Sequence, residues 1–278
     1  MPPISSSSFT SAFTFLRIFV AALLLSLLSA CFTGGIVEGD NKPHPGVNKA
    51  RNLPIKGIDI SRYQGEVDFE AARRAGTRFA FIKATEGGDY LDPAFARNWQ
   101  RSAQAGMVRG AYHFMTWCRP AEEQATWFAA NVPNDPYSLP PVLDLEWNNH
   151  SASCPTMPSP EIALEQTRIM LAAMEAHSGK LPIIYTDINF HRDVLAGKGL
   201  ENTFWLRSVA AEPRHRYFSQ EWTFWQWTQT GTMPGIRGEV DRNSFYGSED
   251  EWIRFILTGC DPRSLSRLGP QGRCGSLK

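Results

Sequence analysis

The chain has 278 residues, 42% of them hydrophobic, and 28 basic side chains stand against 28 acidic ones. That apolar content excludes a wholly disordered polymer, and the length admits one large domain or two ordinary ones. Zero net charge removes the electrostatic case for a surface that binds nucleic acid or anionic membrane.

Residues 1–31 carry a single charged side chain, Arg17, followed by the apolar run Ile18–Ala30. A positive residue ahead of a short apolar run is the layout of an export signal; 13 residues fall short of the roughly 20 a spanning helix needs. The run ends Leu28-Ser29-Ala30-Cys31. Leu28 fits poorly at the −3 position of ordinary signal cleavage. The tetrapeptide instead resembles a bacterial lipobox, in which residues 1–30 are removed and Cys31 becomes the lipidated N-terminus. Phe32 in place of Asp after the cysteine then implies a periplasm-facing outer-membrane lipoprotein if the source is Gram-negative. Setting Cys31 apart leaves Cys118, Cys154, Cys260 and Cys274, an even number that suits two disulfides in an oxidising compartment. No pair has C-x-x-C spacing, so neither a metal site nor a cofactor is expected.

Residues 31–54 are rich in Gly, Pro and Asn and are expected to form a tether; residues 259–278 read as a similar tail. Between them lies one expected domain, 55–258. Strands are predicted at Ile55–Ile60, Phe79–Ala84, Val108–Phe114, Pro141–Glu146 and Leu181–Thr186, with further ones at Phe204–Ser208, Thr223–Thr228 and Gly238–Asp241. Helices are predicted at Phe69–Ala75, Pro93–Ala105, Ala121–Ala130 and from Ser159–Pro160 through His177. Strand–helix alternation implies an α/β fold with a parallel sheet. The spacing fits an irregular TIM-like (β/α) barrel with an incomplete set of helices; an open doubly wound sheet is the alternative.

The segment Leu139-Pro-Pro-Val-Leu-Asp-Leu-Glu146 reads as a buried strand with Val142, Asp144 and Glu146 on one face. Two carboxylates two residues apart on such a strand resist double ionisation, an arrangement that active sites use and cores avoid. At the C-terminal end of a barrel strand they would face the catalytic mouth. Asp59 and Asp241 also follow apolar approaches at strand ends. Aromatic residues crowd Trp222–Trp227, and Tyr112, Phe114 and Trp147 lie at other strand ends, supplying faces for sugar rings. Acids with aromatic walls point to carbohydrate hydrolysis. His113 is expected to pack near the mouth, and no serine or cysteine nucleophile motif is present.

Six ordered motifs sharpen this: Asp59-Ile-Ser-Arg-Tyr-Gln-Gly65, Phe81-Ile-Lys-Ala-Thr-Glu-Gly87, Gly110-Ala-Tyr-His-Phe114, Pro141-Val-Leu-Asp-Leu-Glu146, Trp225-Gln-Trp-Thr228 and Pro234-Gly-Ile-Arg-Gly-Glu-Val-Asp-Arg-Asn243. Together they resemble glycoside hydrolase family 25, the Chalaropsis-type lysozymes. The resemblance implies cleavage of the β-1,4 bond between N-acetylmuramic acid and N-acetylglucosamine in peptidoglycan. It implies Glu146 as general acid, with Asp144 stabilising positive charge at the anomeric carbon, either as nucleophile or by orienting the substrate's acetamido group. Asp59 and Asp241 match the family's other active-site acids. Tyr112, Lys83, Tyr185, Gln226, Trp205 and Trp147 are expected along the groove. A chitinase-like hydrolase of another N-acetyl sugar polymer and a non-catalytic wall-binding barrel are the alternatives. Two positions depart from the family pattern: Arg207 stands where a small residue is common, and Trp227 where tyrosine is frequent. Cys118 and Cys154 fall in loops expected to be neighbours at the mouth, where a bridge would rim the groove.

Overall fold

A computed structural model describes residues 44–148 and 150–261. Nine strands form one sheet: β1 (Lys56–Ile60), β2 (Thr77–Glu86), β3 (Tyr90–Leu91), β4 (Val108–Phe114), β5 (Val142–Leu145), β6 (Ile183–Thr186), β7 (Thr203–Arg207), β8 (Phe224–Gly231) and β9 (Val240–Phe245). The order β1-β9-β8-β7-β6-β5-β4-β2-β3, with an added β1–β2 pairing, closes eight strands into a barrel and leaves β3 as a two-residue flap. Closure excludes the open doubly wound alternative. Pairing is parallel from β1 through β2, β4, β5, β6 and β7 to β8; β9 runs antiparallel to both β8 and β1.

Strand alternation sorts the side chains into two layers. Inward-facing Phe79, Phe81, Val142, Ile183, Phe224 and Phe245 fill the lower lumen with Trp252 and Phe255 of the helix Glu249–Thr258, which plugs the bottom. Outward-facing Ile58, Ala80, Ile82, Leu143, Leu145, Ile184 and Leu206 pack against the surrounding helices. The lumen is so crowded that a Cβ on Gly57 would come within 2.2 Å of the Phe79 ring, and one on Gly110 within 2.9 Å of the Phe81 ring. The helices Phe69–Arg74, Phe95–Gln104, Ala121–Asn131 and Pro160–Ser178 follow β1, β3, β4 and β5. The longest starts at an N-cap Ser159 followed by Pro160 and stops at Gly179 in the left-handed conformation. Between β6 and β9 only short helical turns remain, and none separates β8 from β9.

Three expectations need correction. The strand predicted to end at Asp241 instead begins at Val240 and runs to Phe245. Because β9 is antiparallel, its beginning lies at the same rim as the ends of the parallel strands, so Asp241 still reaches the mouth. The predicted tether is folded over its last residues: Asn48–Asn52 is helical, and Val47 and Ala50 are fully buried in the core. Too few apolar residues mark that packing for periodicity to show it. His113 faces outward between Thr85 Oγ1 (2.8 Å) and Gln124 (3.1 Å), away from the mouth, and burial pushes its imidazole down to about 4. Among the described residues no helix is long and apolar enough to cross a membrane. Residues 1–43, including Cys31, and Cys274 lie outside the described residues.

Candidate active site

The C-terminal rim of the barrel holds a cavity of about 250 Å³ lined by Asp59, Asp144, Glu146 and Asp241, with Lys83, Tyr112, Tyr185, Trp205 and Gln226 around them. All four acids named from sequence are therefore together, carried by β1, β5, the residue after β5, and β9. Tyr63, Tyr112, Phe114, Tyr185 and Trp205 supply the aromatic surface. The crowded Trp222–Trp227 run does not: Trp222, Trp225 and Trp227 pack in the outer core and Phe224 in the lower lumen. Trp147 is also displaced from the cavity. Its indole rests against Trp117 and Phe190 and donates to Asp193 Oδ2 at 3.0 Å.

A chain of hydrogen bonds fixes the β1 side. The Tyr185 hydroxyl donates to Gln226 Oε1 (2.9 Å); Gln226 Nε2 donates to Asp59 Oδ2 (3.0 Å). Asn243 Nδ2 also donates to Asp59 Oδ2 (2.7 Å) and accepts, through Oδ1, from Trp205 Nε1 (2.8 Å). Across the cavity, Trp117 Nε1 donates to the Glu146 carbonyl at 2.7 Å, anchoring the backbone of the outermost acid. Trp117 adjoins Cys118, whose disulfide to Cys154 ties the loop after β4 to the loop after β5. The expected bridge is thus present. Cys260 is buried and engaged.

Burial dominates the electrostatics. Asp144 is pushed well above the usual carboxylate range by loss of water and then by the Glu146 charge, with Lys83 opposing. Its Oδ1 is buried and has no hydrogen-bond partner among the described residues. Glu146 is raised by burial and then by Asp187, against the Arg207 charge and the polar Tyr185 hydroxyl nearby. Asp59 is raised by burial, an effect countered by the amides of Asn243 and Gln226. Asp241 is pushed up to about 9 by burial and the Asp59 charge beside it. Tyr112 and Tyr185 are raised well above their usual value by burial, so both phenols stay neutral. Lys83 Nζ pairs with Glu86 Oε2 at 2.6 Å and sits 5.0 Å from the Phe114 ring centroid. Among the described residues no group of three or more His, Cys, Asp or Glu is arranged to hold a metal ion.

Sequence reasoning left out Asn243 and Asp187. Asn243 has a signal, being two residues beyond Asp241 on the same strand face. Asp187, which stands at the end of β6 and caps the following turn by accepting from Phe190 N (2.8 Å), looks in sequence like a turn residue only.

A closed barrel whose C-terminal rim gathers four acids of raised proton affinity against aromatic rings defines a glycoside hydrolase. The chain belongs to glycosyl hydrolases family 25, whose model matches residues 58–236. It is 36% identical over 218 residues to Lysozyme M1 of Streptomyces globisporus, covering 73% of this chain and 71% of that one. Its fold matches the structure of a family 25 glycosyl hydrolase from Bacillus anthracis with a TM-score of 0.70 and 32% identity, over 77% of this chain and 97% of that one. The bacterial lysozyme of Streptomyces coelicolor matches with a TM-score of 0.66 and 32% identity, over 74% and 98% of the two chains.

Proposed function

We propose that the protein hydrolyses peptidoglycan as an N-acetylmuramidase, cutting the β-1,4 bond between N-acetylmuramic acid and N-acetylglucosamine. The observation that carries this reading is the placement of Asp144 and Glu146 in one rim cavity, both raised by burial, in a family 25 barrel. Glu146, nearer the opening and half-buried, is the general acid that protonates the leaving glycosidic oxygen. Its raised proton affinity favours the protonated form that this step needs.

Asp144 stabilises the positive charge that develops at the anomeric carbon, as nucleophile or by orienting the substrate's acetamido group. Its Oδ1 lacks a partner. A donor brought by the substrate would favour ionised Asp144 and leave the shared proton on Glu146, the distribution the reaction needs. Asp59, held by two amides, and Asp241 line the sugar site beside Tyr112, Tyr185, Trp205 and Gln226. Trp147 supports the wall behind it.

Purified peptidoglycan is digested, the products are reduced with borohydride, and the new ends are analysed. Muramitol ends are expected; glucosaminitol ends or no release would overturn the reading. Glu146→Gln, run beside the parent, is expected to lower turnover by about 10³-fold or more, the upper part of the range for general acid catalysis. We further propose export with removal of residues 1–30 and lipidation of Cys31, which would hold the barrel in the cell envelope. Palmitate labelling that vanishes in Cys31→Ser is the expected result.

A further inference from the structure

Two cations approach the carboxylates from opposite walls, Lys83 in the cavity lining on β2 and Arg207 behind Gln229 on β7, since three strands lie between β2 and β7 in either direction around the barrel. They are not equivalent. The Lys83 charge is compensated by Glu86 at 2.6 Å. Arg207 ends β7, alternates with Trp205 on the inward face, and pairs in register with Gln226. Its charge reaches Glu146 and Asp241, yet no carboxylate forms an ion pair with it among the described residues.

One guanidinium nitrogen, Nη2, donates to the neutral amide oxygen of Gln229, an exposed side chain at the edge of the cavity. Nε is buried with no partner among the described residues. Glu146 must be protonated to act, and Asp241 holds its proton at neutral pH. The rim at β7 therefore keeps an uncompensated positive charge whose Nη2 donor is engaged only by a neutral amide that a carboxylate can displace.

We propose that Arg207 is a specificity-determining residue that binds a carboxylate on the muramyl arm of the glycan, displacing Gln229. This rests on the peptidoglycan reading. Chitin-type polymers carry no such group, whereas each muramic acid carries a lactyl arm bearing either a free carboxylate or a peptide with its own. Bound there, the anion sets the strand across the carboxylates and selects muramyl over plain N-acetylglucosamine polymers.

The test measures kcat and KM for the parent, Arg207→Gln and Arg207→Lys on three glycans. These are intact strands, strands stripped of peptide by an amidase so that only the lactyl carboxylate remains, and stripped strands whose carboxylates are capped with methylamine. Arg207→Gln is expected to raise KM about tenfold on carboxylate-bearing strands, the loss of one charge-assisted hydrogen bond, with partial recovery in Arg207→Lys. On capped strands the parent should show the raised KM itself, and the ratio between parent and variant should collapse. A rise confined to intact strands assigns the contact to the peptide; one that persists on stripped strands assigns it to the lactyl group. An equal rise on capped and uncapped strands, or a change in the pH dependence of kcat with KM unmoved, overturns the proposal. Failure of the parent to release muramyl ends instead overturns the activity on which it rests. Thermal melts of each variant confirm that the barrel is intact.

Discussion

Asp59 and Asp241 stand directly opposite one another across the antiparallel β1–β9 pairing. Two carboxyls so placed in a shielded rim cannot both ionise cheaply, and the hydrogen bonds decide which keeps the proton. Asp59 receives Asn243 and Gln226, both donors, and so favours the anion. Asp241 has the Asp59 charge beside it and is pushed up to about 9.

This division has a signed consequence for stability. In the folded protein Asp241 keeps its proton at pH values where the unfolded chain, titrating near 3.8, has lost it. The folded state binds more protons across that window, so stability falls as pH rises from about 4 toward 9. Asp241→Asn retains a donor toward Asp59 without a titrating group. Its melting temperature should exceed the parent's at pH 8–9 and converge with it near pH 4. Asp59→Asn, which removes a second acid raised by burial and the charge that raises Asp241, should likewise flatten the fall above about pH 4, with a pH-independent cost of about 1–3 kcal/mol where its new NH2 meets the Gln226 donor.

With Glu146 as the proposed general acid, Asp187 sets its working range. Its charge is the largest contribution after burial to holding Glu146 up. A general acid must be protonated, so activity is lost as pH rises through its pKa. Asp187→Asn should therefore move the alkaline limb of the kcat profile to lower pH and leave the acidic limb in place. The turn cap survives, since the asparagine oxygen still accepts from Phe190 N. A pH profile of kcat for the variant checks the direction; an unmoved or upward-shifted limb would remove Asp187 from this role.

Gly57 tests how tightly the lower lumen constrains the site above it. The Phe79 ring occupies the space a side chain at 57 would need, 2.2 Å from an added Cβ. That ring is wedged edge-on against Phe81 and Phe224 and tilted against Trp252, so it has nowhere to retreat. Gly57→Ala should cost about 1–3 kcal/mol by overpacking. With Asp59 two residues along the same strand face, activity should fall further than the loss of folded protein accounts for. Denaturant unfolding compared with specific activity separates the two losses.

Alternation along β5 is what made Asp144 and Glu146 readable in the sequence: an apolar strand exposes an acid pair by its parity alone. The same rule, extended two residues past Asp241, points to Asn243. It fails at Trp222–Trp227, because a run that is buried on both faces of a barrel strand has no polar side to mark which rings reach the mouth. It also misses the reversal at β9, since a strand's direction depends on the length and path of its connection and not on its own residues. Asp187 was out of reach for another reason. Its influence on Glu146 crosses from β6 to β5, and only the parallel β5–β6 pairing brings those two strand ends side by side.

The Cys118–Cys154 bridge joins stability to catalysis through one contact. It closes a separation of 36 residues, for which chain entropy alone predicts about 4 kcal/mol, an upper figure where the reduced chain keeps some structure. Beside it, Trp117 donates to the Glu146 carbonyl and stacks at 5.0 Å on Phe190. With the bridge cut, the loop that carries Trp117 is held by packing and by hydrogen bonds with Gln124 and Asn148, without a covalent tie to the β5 loop, and the anchor of the Glu146 backbone loosens. Cys118→Ser/Cys154→Ser should melt below the parent, and adding reductant should bring the parent down toward the double variant while leaving the variant unchanged. At a temperature where both are fully folded, the double variant should lose kcat more than KM, because the displaced group is the proposed acid Glu146 and not the residues proposed to bind the sugar. Equal melting of parent and variant would show that the β4 and β5 loops are held by packing, and unchanged kcat would separate the bridge from the position of Glu146.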